Sequence, residues 1–336
     1  MMQDVIVISP TNALAQIGQV ANTYASQNVF TDYQQRKAAN TIRRQRGDLE
    51  LFARYLAQAG VLVSVDDLMT NPVSWHGITY GLVDGFVRWM LQEGYAIGSL
   101  NVRLSTIKTY AKLVAKAGVL PPSEYALIKM VEGYSHKAGR NVDQTREVIR
   151  KGEKKAEPVP ITPEQAKALK TQPDTPQGRR DTLLMCLLLD HGLRCGEVEG
   201  LTVSSINLAE GTLTFYREKV DKIQIHQLTP ETFRAALKYM QTDKPTGQLL
   251  MGSRKGGKLC GGMSERAITA RVNVLGGAIG LVSVSAHDGR HYWATAAVRG
   301  GTDIKSLQDA GGWNSPAMPL RYVESNKIAN QGVKLG

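Results

Sequence analysis

The chain has 336 residues, 42% of them hydrophobic and 21% charged, a composition of folded protein and a length that suits two cores better than one. Its 41 Lys and Arg outnumber its 30 Asp and Glu, and the formal charge of +11 favours polyanions, nucleic acid first among them, as partners. Cys186, Cys195 and Cys260 form no C-x-x-C pair, which argues for buried thiols over a disulfide framework or structural zinc; the absence of a run of about 20 apolar residues argues for a cytoplasmic protein with no membrane span.

The positive charge is spread along the chain. Residues 1–158 hold 19 Lys and Arg against 14 Asp and Glu, and residues 159–336 hold 22 against 16. Excesses of +5 and +6 fit two halves that touch one long phosphate backbone better than a basic tail on a neutral enzyme.

In chain order, residues 1–27 carry no strong pattern and read as an extension. Residues 28–138 read as a helical domain. Its first helix runs through NTIRRQRGDLELFARYLAQAG, where Ile42, Leu49, Phe52, Tyr55 and Leu56 recur at helical spacing and Gly60 stops it. GLVDGFVRWMLQEG follows. The next, SLNVRLSTIKTYAKLVAKAG, has Leu100, Leu104, Ile107, Ala111 and Val114 as its apolar stripe, and SEYALIKMVEGYSHK is predicted as a single fourth helix. Arg43, Arg44, Arg46, Arg103, Lys108 and Lys112 lie off these stripes and are candidates for phosphate contact. Solvated surface charge is the plainer reading of any one of them.

Residues 139–160, charged and ending in two prolines, have the composition of a linker. A second domain is expected over 161–324, opening with Thr162 as N-cap and Pro163 at the first helical position. RRDTLLMCLLLDHG presents an apolar run to bury. INLAEGTLTFY and KIQIHQL read as short strands joined by the turn REKVD, and five helical segments follow, through PETFRAALKYM, SERAITARVNVL, DGRHYWATAAVRGG, DIKSLQDAGG and SPAMPLRYVE. SRKGGKL at 253–259 reads as a basic turn, either closing a surface hairpin or holding a phosphate. Residues 325–336 form a tail that is a candidate for packing onto a neighbouring protomer. The fold class expected is mainly α with a small β-sheet.

Five pieces of the second domain form a constellation. HGLRCGEVEGL contains Arg194 with Glu197 three residues on, REKVDK offers Lys219 with Lys222 in reserve, SAHDGRHYWATAA contains His287 and Arg290, AGGWNSP contains Trp313, and MPLRYVE contains Tyr322, nine residues after Trp313. In order and spacing these resemble the conserved boxes of the tyrosine recombinase (phage integrase) family. Taken singly, each residue has a plainer explanation, Tyr322 being one of 12 tyrosines; the joint pattern carries the reading.

The resemblance implies a helical core-binding domain and a mixed α/β catalytic domain clamping double-stranded DNA at an inverted-repeat core site. It implies a homotetramer on two DNA sites that exchanges strands through a Holliday junction. Tyr322 would be the nucleophile that forms a 3′-phosphotyrosine link, and Lys219 would protonate the departing 5′ oxygen. Trp313 takes the place where most of the family has histidine. No cofactor and no metal are implied.

The residue types suit that chemistry. Cleaving a phosphodiester builds negative charge on the non-bridging oxygens, and two guanidinium groups, Arg194 and Arg290, are permanently charged, planar donors for it. A phenol with an ordinary pKa of about 10 needs a proton acceptor or a positive pocket, and His287 is the candidate base; the resemblance makes Glu197 the acid that supports Arg194. Type IB topoisomerase, which uses a similar residue set, and a DNA-binding protein that has lost catalysis are the alternatives. The separate helical domain and the nine-residue interval favour recombination over the first, and the intact Arg194, Lys219, Arg290 and Tyr322 over the second. Residues 1–27 look too short for a separate arm-binding domain, which favours a directly acting recombinase.

Overall fold

The structure, a computed structural model, describes residues 10–152, 157–254 and 256–323. The chain divides into two compact units, Met1–Glu153 and Lys154–Gly336, and the division falls within the segment read as a linker.

The first unit is all helical: α1 (Pro10–Gln35), α2 (Ala39–Gln58), α3 (Val65–Thr70), α4 (Tyr80–Gln92), α5 (Ile97–Lys116), α6 (Pro122–Met130) and α7 (His136–Asp143). The stripes expected on α2 and α5 supply its core, with Leu49, Phe52, Leu56, Leu100, Leu104, Ile107, Ala111 and Val114 all buried. Trp75 lies among them and satisfies its indole by donating from Nε1 to Leu68 O at 2.9 Å.

Two features of this unit differ from the sequence expectation. Residues 10–27, read as patternless, begin the 26-residue α1. Leu14, Ile17, Val20 and Tyr24 are all exposed, and burial starts only at Val29 and Phe30, so the first turns show no core-facing period. The single helix expected through SEYALIKMVEGYSHK is broken into α6 and α7. Asn101 of α5 causes the break: its amide donates to Tyr134 O at 2.8 Å and its oxygen accepts from Tyr134 N at 2.9 Å, holding the connecting backbone open. Ser135 then caps α7 by accepting from Ala138 N.

The second unit opens with α8 (Pro163–Lys170), closed by a capping box between Thr162 and Gln165. The apolar run becomes α9 (Pro176–Leu189), buried from Leu183 to Leu189 and packed against α8, α11 and α13. After the short α10 (Cys195–Glu199) comes a three-stranded antiparallel sheet in the order β1 (Ile206–Asn207), β2 (Thr212–Arg217), β3 (Lys222–Gln227). A second hairpin, β4 (Met251–Ser253) and β5 (Leu259–Gly262), is joined through SRKGGKL. The helices are α11 (Pro230–Asp243), α12 (Glu265–Gly277), α13 (Ala286–Arg299), α14 (Ile304–Gly311) and α15 (Ala317–Val323).

The main core gathers α8, α9, α11, α12 and the inner face of β2. A smaller cluster of Ala294, Leu307 and Tyr322 joins α13, α14 and α15. Of the three thiols only Cys186 is fully buried; Cys195 and Cys260 are partly exposed, because α10 and β5 lie at the margin of the core. Among the described residues no helix is long and apolar enough to cross a membrane. The tail 325–336 lies outside the described residues.

Candidate active site

Arg194 sits at the N-cap of α10, where Glu197 closes a capping box onto it. The Glu197 carboxylate accepts from Arg194 N at 2.8 Å and from Arg194 Nη1 at 2.7 Å. The same carboxylate accepts from Arg217 Nη1, 2.8 Å to each oxygen. Burial would push the Glu197 carboxyl up, yet Arg217 and Arg194 outweigh it and hold the group below its ordinary range. One buried negative charge therefore keeps two guanidinium groups in place while leaving Arg194 partly open to solvent.

Arg217 was not singled out in the sequence. It ends β2 at a core-facing position, after Leu213 and Phe215, and is fully buried. Burial lowers its basicity, against the pull of Glu197. A charged residue on the inward beat of a strand was the available signal, since such a charge must find a partner.

Arg290, on α13, is buried too. It donates from Nη1 to Gly192 O at 2.6 Å and from Nη2 to Gly311 O at 2.5 Å. Its guanidinium lies 4.5 Å from the centre of the Trp313 ring and 5.7 Å from that of Trp293. Burial first, then the like charges of Arg194 and Arg217, bring it down to about 9, so it is still cationic at neutral pH. Gly192 is needed here: its φ is +60°, and a Cβ would run into the Trp293 ring. Trp293 is partly buried in this stack.

Tyr322 is buried on α15. Its ring lies 5.8 Å from Trp313 and 5.1 Å, edge to face, from His291. Burial raises the phenol above its ordinary value of 10, while Arg290, Arg194 and Arg321 pull it down. His287 is exposed and one turn earlier on α13; it shares a hydrogen bond with His291, Nε2 to Nε2, at 3.2 Å. The imidazole next to the tyrosine is thus His291, with His287 beyond it. The sequence reading missed His291, although its place four residues after His287 puts both on one helix face. Two other histidines, His191 and His226, are buried and brought by burial down to about 4, so they are neutral at pH 7.

Lys219 stands exposed in the turn Glu218–Val220 between β2 and β3; Lys222 begins β3 opposite Arg217. Tyr216 donates to Asp221 at 2.6 Å across this turn. Among the described residues no three His, Cys, Asp or Glu side chains are grouped to hold a metal ion.

In the first unit the six candidate phosphate contacts separate. Arg44 pairs with buried Asp48 at 2.5 Å, Arg103 lies 3.9 Å from the same carboxylate and over the Tyr95 ring, and Arg46 forms a two-toothed pair with Asp66. Lys108 donates to Lys129 O at 2.9 Å. Arg43 and Lys112 are exposed, Arg43 bonded only to the Asn40 amide oxygen among the described residues.

A helical unit is followed by a mixed unit, and the second brings Arg290, Trp313 and Tyr322 together. The model of the phage integrase family matches residues 160–328. The chain belongs to that family, and it is a tyrosine recombinase, an enzyme of DNA strand transfer.

It is similar to the tyrosine recombinase XerC of Myxococcus xanthus, 26% identical over 300 residues, covering 85% of this chain and 87% of the relative. It is also similar to XerD of Neisseria meningitidis serogroup B, 26% identical over 305 residues, 89% and 91% of the two chains. Two solved structures share the fold. A lambda integrase dimer bound to a COC′ core site has a TM-score of 0.62 at 14% identity, with 91% of this chain and 96% of that one covered. Tn1549 transposon integrase in complex with transposon right-end DNA has a TM-score of 0.63 at 14% identity, with 90% and 96% covered.

Proposed function

We propose that the chain cleaves and rejoins duplex DNA at a specific inverted-repeat core site, with Tyr322 as nucleophile and a covalent 3′-phosphotyrosine intermediate. The observation that carries this reading is the placement of Tyr322 against Trp313 and His291, with Arg290 under the same indole.

The Tyr322 oxygen attacks the scissile phosphorus, its proton passing toward His291 and on to His287. Arg194 and Arg290 bind the non-bridging oxygens as negative charge grows there; being held by Glu197 and by two carbonyls, they need little reorganisation. The bond from phosphorus to the 5′ oxygen breaks, and that oxygen takes a proton from Lys219. One phosphoester replaces another, so a 5′ hydroxyl can attack the phosphotyrosine and restore the backbone without an external energy source. Trp313 donates at most one hydrogen bond and cannot shuttle protons, so it serves as a platform for Arg290 and Tyr322.

Four protomers on two DNA sites would exchange one pair of strands at a time through a Holliday junction. The first unit grips the duplex through Arg43 and Lys112, and more weakly through Arg44, Arg46, Arg103 and Lys108, which already have partners. The place of action is the cytoplasm.

The test is incubation with nicked suicide duplexes from the DNA flanking its gene, without metal or ATP. A covalent protein–DNA adduct that is lost in Tyr322→Phe supports the proposal; an adduct that survives the change sinks it. Exchange between two sites, as opposed to relaxation alone, separates recombination from topoisomerase activity, and the absence of any adduct would point to a protein that only binds DNA.

A further inference from the structure

The last carbonyls of a helix have no partner in its own ladder. At the end of α14, three successive ones each receive a side chain. Asp309 O accepts from Gln224 Nε2 at 2.5 Å, Ala310 O from Arg217 Nη2 at 2.7 Å, and Gly311 O from Arg290 Nη2 at 2.5 Å. Gln224 works at both ends, since its Oε1 also accepts from Arg217 Nε. Gly312 follows in the left-handed conformation, φ +59°, where a Cβ would run into Arg217. Trp313, packed on Tyr322, comes next.

The far end of the β2–β3 hairpin lacks an apolar anchor. Phe215 is the last large apolar group on the inward face of β2; Gln224 stands opposite it on β3, and beyond this pair the inward position of β2 is Arg217. Tyr216, Ile223 and Ile225 face outward and are exposed, and β3 is an edge strand. The hairpin end that carries Lys219 is thus fixed by polar bonds, from Arg217 to Glu197 of α10 and from Arg217 and Gln224 to α14.

We propose that Gln224, with Arg217, is a positioning residue for Lys219: the pair clasps the hairpin to the C-terminus of α14 and so sets the lysine relative to the segment bearing Trp313 and Tyr322. This rests on Lys219 being the acid for the leaving oxygen, as proposed above. The clasp acts through Lys219, so loosening it slows protonation of the leaving group and leaves DNA binding intact. A displacement of about 1 Å in such a group costs on the order of 100-fold in rate.

The experiment uses two versions of one mapped cleavage site, an ordinary phosphodiester and a 5′-bridging phosphorothiolate, whose sulfur leaves without needing a proton. Single-turnover cleavage and DNA affinity are measured for wild type, Lys219→Ala, Gln224→Met and Gln224→Glu. Methionine keeps the length of Gln224 without its hydrogen bonds; glutamate keeps the bond from Arg217 and loses the one to Asp309 O, and it carries the test if the methionine variant proves unstable on melting. Lys219→Ala and the Gln224 variants should be slowed about 10-fold or more on the phosphodiester and return to within about 3-fold of wild type on the phosphorothiolate, at unchanged affinity. If Lys219→Ala is restored by sulfur while the Gln224 variants remain slow, or if they cleave the phosphodiester at the wild-type rate, the clasp has no role in placing the lysine. If Lys219→Ala is equally slow on both substrates, Lys219 is not the acid, and the role given to the clasp falls with it.

Discussion

Arg217 donates from a single nitrogen to both carboxylate oxygens of Glu197, 2.8 Å to each, although the two residues lie on different elements 20 positions apart. Removing one member of a buried ion pair leaves the other uncompensated, at about 3–5 kcal/mol. Glu197→Ala should destabilise the second unit by that order in urea titration, and Glu197→Gln, which still accepts hydrogen bonds, by less.

The same carboxyl gives a pH signature. Its folded value lies below the ordinary 4.5, so the folded chain holds fewer protons there than the unfolded one. Its contribution to stability is complete above about pH 4.5 and is lost as pH falls through the lower folded value. Urea midpoints of wild type should therefore drop over that acidic window, and Glu197→Gln should show a shallower drop there.

His291 lies between His287 and Tyr322. Replacing His291 with Phe keeps a ring against the tyrosine but removes the proton acceptor, and the cleavage rate should fall about 100-fold or more with DNA affinity unchanged. His287→Ala, one bond further out, should have a smaller effect. Equal rates for wild type and His291→Phe would remove His291 from the proton path.

Trp313 offers its face to Arg290 and lies tilted by 36° against the Tyr322 ring, 5.8 Å between centres. Trp313→Phe should keep most of the activity, because a smaller aromatic face still meets the guanidinium, whereas Trp313→Ala should lose at least about 10-fold by freeing both side chains. Single-turnover cleavage at saturating protein distinguishes these outcomes.

For the first unit, charges that are not already paired should dominate binding to phosphate. Arg43→Ala and Lys112→Ala should each reduce the slope of log affinity against log salt by about 0.9, the value for one phosphate contact. Arg46→Ala should change that slope less, since Arg46 is engaged by Asp66. Salt titrations of duplex binding read all three.

Much of the fold and site is legible in the chain because the relevant signals are local. The stripe of α5 and the Thr162 cap with Pro163 declare themselves within one or two turns, as does the spacing from Trp313 to Tyr322. What escaped depends on distant contacts. Asn101 breaks the helix after Met130 from 33 residues away, through Tyr134. Arg217 reads as a turn-flanking charge until β2 is known to face it inward onto Glu197. α1 hid because its first turns bury no apolar stripe, and His291 because the arginine box drew the reading to His287 alone.

The most direct measurement is the chemical identity of the DNA-linked residue. The adduct formed on a suicide duplex is trimmed with nuclease, digested with protease, and sequenced by tandem mass spectrometry. A nucleotide phosphate on the oxygen of Tyr322 is the expected result. The same modification on another of the 12 tyrosines, or on a serine, would contradict the proposed chemistry.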